Sequence, residues 1–105
     1  MEVIRDQNYR TIIVSGLFGG HRPGFFEAVL YTDEMVADEA LKTGAGEPTK
    51  VYIRRTLQCR LLLDPVQAKS IAKWLTGYIS EYEKTFGKII TLGESKPTAD
   101  GTLTV

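Results

Sequence analysis

The sequence lacks the features that mark membrane, secreted and disulfide-rich proteins. It has one cysteine, and its 13 basic residues balance its 13 acidic ones. A lone cysteine cannot form an internal disulfide, which fits a reducing compartment, and a neutral chain has no overall field that attracts nucleic acid or a membrane. No apolar run approaches the roughly 20 residues of a transmembrane helix, and residues 1–10 lack the apolar centre of a signal peptide. We therefore expect a cytoplasmic protein that does not bind membranes.

What the sequence does contain is the composition of one globular domain. Hydrophobic residues make up 43% and charged residues 25% of the 105 positions, which is average for a folded domain and excludes disorder as the main state. The length also suits one domain. We expect a single α+β domain over residues 1–92, followed by a flexible tail over residues 93–105.

Three segments have the β-branched and aromatic composition of strands. They cover residues 9–18, 25–31 and 51–63. Glycines and Pro23 predict a hairpin between the first two strands. Further short strands are options at residues 2–5, 88–92 and 102–105.

The second predicted strand, residues 25–31, is apolar on both of its alternating faces. A strand with one wet face should alternate, so this pattern predicts cover on both sides. One helix covers only one face of a small sheet, so we expect a second copy of the protein on the other face.

Two segments have helical patterns. Residues 33–42 combine acids with apolar residues and predict a short helix. The stronger pattern covers residues 65–86, where Asp64 can cap the first turn, Pro65 suits the first helical position and Gly87 ends the helix. One side carries an apolar stripe of Ala68, Ile71, Ala72, Leu75, Tyr78, Ile79, Tyr82 and Phe86. The predicted fold is α+β, a small antiparallel sheet of three main strands, with short terminal strands as an option, packed by one long C-terminal helix.

Candidates for enzymatic chemistry are few. His21 and Cys59 lie on separate predicted elements, and neither has the partners that a catalytic triad or a zinc site needs. The glycine-rich residues 16–24 could hold an anion through backbone N–H groups, but their spacing matches no phosphate-binding fingerprint. We favour a hairpin that uses these glycines for positive φ angles. We predict no enzyme activity, no metal site and no cofactor.

The third predicted strand and the residue before it carry a basic segment, which consists of Lys50, Tyr52, Arg54, Arg55 and Arg60. Strict alternation places Arg54 and Arg60 on a polar face and Arg55 on the apolar one. Such a strand could bind single-stranded nucleic acid by charge and stacking. Alternatively, the arginines pair with the acid-rich residues 33–47, within one chain or across a dimer. We favour ion pairing, because nucleic-acid-binding domains are usually basic overall.

A second, narrower seam flanks the apolar stripe of the long helix. It consists of Ser70, Trp74 and Gly77, at spacings of four and three residues. A glycine inside a helix costs about 1 kcal/mol relative to alanine, so Gly77 requires an explanation. Small residues beside a large one let another element approach closely. We predict that this flank meets a second subunit, and the alternative is a partly exposed Trp74 above its own sheet.

The long helix and its C-terminal end resemble a family of short bacterial and archaeal proteins catalogued as domain of unknown function three-four-six-seven. The matching residues are Pro65, Ala68, Lys69, Tyr82, Glu83, Phe86, Gly87 and Ile89. The resemblance covers residues 9–89, although the second strand lacks the family's aspartate before a phenylalanine. It implies a strand–strand–strand–helix domain and no activity, because none is assigned to the family. The order of strands before a long helix also resembles the topology of the secretion chaperone SecB, without a shared motif.

These patterns favour a non-enzymatic binding or assembly module, a homodimer or larger homo-oligomer that recognises a protein or peptide partner. An exposed sheet edge could add a strand from the partner. The residues expected at apolar contacts are Phe25, Phe26, Tyr31 and Trp74. One alternative is a nucleic-acid-associated protein that uses the basic segment, and a second is a chaperone-like protein of SecB-like topology.

Overall fold

The computed structural model describes residues 1–37, residues 51–91 and the backbone of residues 103–104. Its elements, in chain order, are β1 (Gly16–Arg22), β2 (Phe25–Ala37), β3 (Val51–Leu63), α1 (Pro65–Phe86) and β4 (Leu103–Thr104). The strands form one antiparallel sheet in the order β3-β2-β1-β4. This is the predicted α+β fold, with three main strands and one long helix.

The hairpin between β1 and β2 is tighter than the sequence predicted. Arg22 pairs with Phe25, so only Pro23 and Gly24 form the turn. Gly24 has a φ of 89°, a value that glycine adopts without strain. The hairpin predicted within residues 16–24 is confirmed, but its connection has only two residues, because residues 16–22 form β1.

The lack of space beside Gly19 explains why a strand at this position contains glycine. A Cβ atom added to Gly19 would lie 2.1 Å from the backbone oxygen of Glu27 on β2. Glycine is needed here because the two paired strands approach closely. A glycine in the sequence is equally typical of a loop, so the sequence alone does not distinguish the two cases.

The N-terminal arm, residues 9–15, was predicted as the beginning of the first strand, and the structure places it outside the sheet. It crosses the sheet instead. The hydroxyl of Thr32 on β2 donates to the carbonyl of Ile13 at 2.6 Å, and the Arg10 guanidinium donates to the carbonyl of Gln58 on β3. These two bonds each join a side chain to a backbone carbonyl. At the end of the arm, the backbone N–H of Ser15 also donates to the carbonyl of Tyr31 at 2.9 Å.

The helix predicted over residues 33–42 is wrong over its described part. Residues up to Ala37 continue β2, where Met35 pairs with Ile53 and Ala37 pairs with Val51. The remaining positions of that prediction lie outside the described residues. Pairing with a long neighbouring strand overrides the weak local preference for a helix.

A β-bulge at Gln58 divides β3 into two halves with opposite alternation. Leu30 pairs with Cys59 and Tyr31 pairs with Leu57, which leaves Gln58 as the extra residue. We call the side of the sheet that carries Tyr31 the Tyr31 face, and the side that carries Thr32 the Thr32 face.

The bulge corrects the predicted faces of the third strand. Arg55 pairs with Asp33 and therefore shares the Tyr31 face. Arg60 pairs with Val29, which lies on the same face because β2 alternates without interruption. Strict alternation had placed these two arginines on opposite faces.

The boundaries of α1 agree with the predicted capping residues. The Asp64 carboxylate accepts a hydrogen bond from the backbone N–H of Gln67 at 2.8 Å, and Pro65 opens the helix. At the other end, Gly87 has a φ of 103° and donates its N–H to the carbonyl of Glu83. Both ends thus satisfy backbone groups that a bare helix would leave unpaired.

Two of the predicted terminal strands are absent from the described residues. Residues 2–5 and residues 88–91 form no strand. The third, within residues 102–105, is confirmed in part, because Leu103 pairs with Gly19 and Thr104 pairs with Phe18. Part of the segment predicted as a tail therefore joins the sheet.

The interior of the described part of the chain is small. Tyr31, 4% exposed, is its one buried hydrophobic side chain. All residues of α1 are described and none of them is buried, although the helix contacts β2. No described helix has the length and apolar character that a membrane crossing requires.

Candidate functional site

The basic segment forms a ladder of ion pairs with β2. The strongest pair joins Arg55 and Asp33 through two bonds, with Nε–Oδ1 and Nη2–Oδ2 distances of 2.9 Å each. Such a forked pair fixes both side chains. The hydrogen bond from Arg55 lowers the pKa of Asp33, and the same bond raises the pKa of Arg55.

The Arg55 guanidinium also packs on the buried aromatic ring of Tyr31. Its central carbon lies 3.8 Å from the ring centroid. The same ring also contacts Phe18, at 6.2 Å between centroids. Arg55 therefore packs on the buried ring of Tyr31 while half of its own side chain stays exposed.

The two other arginines are also paired with carboxylates. Arg60 Nε lies 2.8 Å from an oxygen of Glu27. Arg54 Nη1 lies 3.5 Å from an oxygen of Glu34, while its Nη2 donates to the Tyr52 hydroxyl at 3.4 Å. The bond to Tyr52 raises the pKa of Arg54.

Arg54 and Arg55 pair within the chain with acids of residues 33–47, as predicted, whereas Arg60 pairs with Glu27, outside that segment. This arrangement also divides the predicted nucleic-acid set, because Arg55 and Arg60 share the Tyr31 face whereas Arg54 and Tyr52 lie on the Thr32 face. Lys50 lies outside the described residues. The described members of the set do not form one continuous basic surface.

The aromatic residues predicted for apolar contacts on β2 lie in different environments. Tyr31 is interior. Phe25 is half-buried on the same face, while Phe26 is 42% exposed on the Thr32 face, with its ring centroid 6.4 Å from that of His21. Of the three, Phe26 offers the largest accessible surface.

The largest accessible aromatic surface lies on α1. Four rings are exposed, with fractions of 62% for Trp74, 58% for Tyr78, 52% for Tyr82 and 72% for Phe86. They contact one another in pairs, at centroid distances of 5.2 Å for Trp74–Tyr78 and 4.8 Å for Tyr82–Phe86. Neighbouring rings along one helix thus form an ordered apolar surface.

A shallow hollow on α1 contains part of the predicted seam. It is lined by Lys73, Trp74, Gly77, Tyr78 and Glu81. A Cβ atom added to Gly77 would meet no atom within 4 Å. Nothing in the described protomer therefore explains the glycine at the centre of this helix.

Only part of this hollow was predicted from the sequence. The third predicted residue, Ser70, donates its hydroxyl to the carbonyl of Val66 at 2.9 Å, so its polar group is used within the helix. Lys73 and Glu81 were missed. Their positions, four residues to either side of Gly77, are the signal that could have identified them.

A second hollow lies between the N-terminal arm and β3. It is lined by Gln7, Asn8, Tyr9, Arg10 and the half-buried Cys59. Nowhere in the described chain do three or more His, Cys, Asp or Glu residues group so that they could hold a metal ion. This hollow was not predicted, because the arm was expected to be a strand of the sheet.

Comparisons with family models, with curated proteins and with solved structures find no match to this chain.

Proposed function

We propose that this chain is a non-enzymatic cytoplasmic module that assembles with copies of itself and recognises a protein or peptide partner. The observation that carries the proposal is the exposed aromatic surface of α1. A capped helix of 22 residues has formed without burying any of its side chains. Amphipathic helices gain most of their stability from packing of the apolar side, so this helix requires a partner surface.

The size of the aromatic surface supports an interface. A phenylalanine, tyrosine or tryptophan can bury roughly 150–250 Å². At the observed exposures, the four rings together present on the order of 500 Å². The largest apolar patch on a typical monomer is about 300–600 Å² and is often functional, and further apolar residues of α1 enlarge this one.

Recognition of a partner is proposed at the free edge of β3. Among the described strands, β3 has β2 as its one neighbour and lies at the end of the sheet. It is 13 residues long, about twice the usual length of a strand. An extended segment of a partner would pair with this edge through main-chain hydrogen bonds.

Size-exclusion chromatography with light scattering tests the assembly, at low and at moderate salt. An oligomer that persists at both salt concentrations is expected, because apolar contacts are not screened. A monomer at the highest attainable concentration would overturn the assembly.

Hydrogen exchange tests the recognition. A peptide selected from a random library on the immobilised chain should slow exchange at β3 amides and leave α1 amides unchanged. Protection confined to α1, or a library that yields no binder, would contradict recognition at the sheet edge.

The nucleic-acid alternative has weaker support, because each of Arg54, Arg55 and Arg60 already faces a carboxylate. Titration with a single-stranded oligonucleotide at low salt distinguishes the two functions. Binding that weakens steeply with added salt would favour nucleic acid, since phosphate contacts release counterions. The chaperone-like alternative depends only on the resemblance in topology.

A further inference from the structure

We infer that a second copy of this chain docks antiparallel on α1, with the two-fold axis passing beside Gly77 and with Lys73 of each copy facing Glu81 of the other. The inference rests on the proposed assembly and specifies the surface that carries it. The hollow lined by Lys73, Trp74, Gly77, Tyr78 and Glu81 is the contact surface.

Charge complementarity determines the direction of the pairing. Lys73 and Glu81 lie four residues on either side of Gly77, and both line the hollow. In an antiparallel pair centred on Gly77, each lysine meets a glutamate of the second copy, and two ion pairs form. A parallel pair in register would place lysine against lysine and glutamate against glutamate, which is unfavourable.

In the same antiparallel register, no charged residue of one α1 lies opposite a residue of like charge on the α1 of the second copy. Lys69 lies opposite Thr85 of the second copy, and Lys84 lies opposite Ser70 of the second copy. Within the helix, the Lys73–Glu81 pair is therefore the one place where two charged residues face each other. The helix is self-complementary about its midpoint.

Gly77 and Trp74 supply the packing. The open space beside Gly77 allows the two helices to approach closely where they cross. Trp74 would lie at the level of Ser80 of the second copy, where its indole can cover the surface left open by the other glycine. Trp74 and Tyr78, 62% and 58% exposed, are residues of the type that dominates binding energy at interfaces.

Charge-reversal variants test the inference. We would measure dimer dissociation constants by sedimentation for the wild type, Lys73→Glu and Glu81→Lys. Each single reversal replaces two attractive pairs by two repulsive ones, so each variant should dimerise about tenfold more weakly. An equimolar mixture of the two variants restores opposite charges at both pairs and should form the heterodimer preferentially in native mass spectrometry. The double variant Lys73→Glu/Glu81→Lys should regain the wild-type constant.

Lys69→Glu is the matched control. It makes the same change of charge on the same helix, but faces the uncharged Thr85 of the second copy, so its dimerisation should change little. Equal weakening by Lys69→Glu and Lys73→Glu would indicate a general charge effect and overturn the specific pairing.

Gly77→Leu tests whether the two helices approach closely at this residue. It should favour the helix but prevent the dimer. Leucine is the better helix former, so circular dichroism should show equal or greater helix content. The added side chain should nevertheless abolish the dimer. A Gly77→Leu chain that dimerises as well as the wild type would refute the crossing point at this residue.

The failures of the two proposals are distinguishable. A dimer that is insensitive to both charge reversals would leave the assembly intact and move it to another surface, such as the β3 edge. A wild-type chain that is monomeric throughout would overturn the assembly and this pairing together. A different protein that binds α1 of a monomeric chain would also replace the second copy as the occupant.

Discussion

The ion-pair ladder between β2 and β3 differs from the helix α1 in how many of its side chains have a partner. In the ladder, Arg54, Arg55 and Arg60 each meet a carboxylate on the neighbouring strand. On α1, four aromatic rings remain more than half exposed. A strand has no backbone hydrogen bonds without a neighbour, whereas a helix closes its own. A helix can therefore form while its side chains stay exposed, and the exposed surface of α1 is where the proposed partner would bind.

The largest expected effect comes from breaking the sheet at Gly19. In Gly19→Ala the new Cβ would lie 2.1 Å from the carbonyl oxygen of Glu27, so the strands must separate. We expect a loss of about 2–4 kcal/mol in the free energy of unfolding, measured by urea denaturation. Gly77→Ala, measured in dilute monomer, is the control and should gain up to about 1 kcal/mol. Equal effects of the two substitutions would show that β1 tolerates a side chain at this position.

The next largest effect is expected from a substitution on α1 that weakens assembly but leaves the stability of the monomer unchanged. Trp74→Ala should weaken self-association by at least about 30-fold, the effect of losing an interface anchor. The unfolding free energy of the dilute monomer should change by less than about 0.5 kcal/mol, because the ring is exposed there. Tyr9→Ala removes a similarly exposed aromatic ring, 68% accessible, from the N-terminal arm and should leave association unchanged. A monomer destabilised by several kcal/mol in Trp74→Ala would mean that the ring packs within its own protomer.

A smaller effect tests whether α1 depends on its own caps. Asp64→Ala removes the acceptor that lies 2.8 Å from the N–H of Gln67 and should cost about 1 kcal/mol. Asp64→Ser should restore most of this loss. Circular dichroism at 222 nm during thermal unfolding measures both variants. Equal stability of the alanine and serine variants would rule out a capping role.

The smallest effect concerns the pH dependence of the ladder. Arg55 lowers the pKa of Asp33 in the folded chain, so the ionised pair stabilises the fold above the pKa of the unfolded aspartate, about 4. That contribution is lost as the pH falls from there through the lowered folded pKa. Asp33→Asn should therefore show a shallower loss of stability between about pH 4 and pH 2 than the wild type. Parallel curves for the two proteins would mean that the pair does not contribute to acid stability.

Local chemistry explains which parts of the fold were predictable. The ends of α1 depend on Asp64, Pro65 and Gly87, which act on their immediate neighbours, and these boundaries are correct. The helix predicted over residues 33–42 failed because Met35 pairs with Ile53, a contact between distant parts of the sequence. The strand predicted over the N-terminal arm was wrong for the same reason, because the arm bonds to residues of β2 and β3 that are distant in the sequence.

The candidate surface was predictable to a similar degree. Trp74 and Gly77 stand out because a large ring and a glycine are unusual within an exposed helix. Lys73 and Glu81 resemble ordinary solvent-exposed charges, and only their symmetric spacing about Gly77 distinguishes them. This symmetric spacing indicates a pairing of two copies only when the exposed state of the helix is also known.

The extra residue at Gln58 also determines how substitutions should be tolerated along β3. Before the bulge, the odd-numbered positions, such as Ile53 and Leu57, lie on the Tyr31 face, whereas after it the even-numbered positions, such as Leu62, do so. A saturation map of this strand should therefore reverse its odd–even pattern at position 58. Deleting Gln58 would join Leu57 directly to Cys59 and restore regular alternation, so the side chains of both halves would keep their present faces and partners on β2.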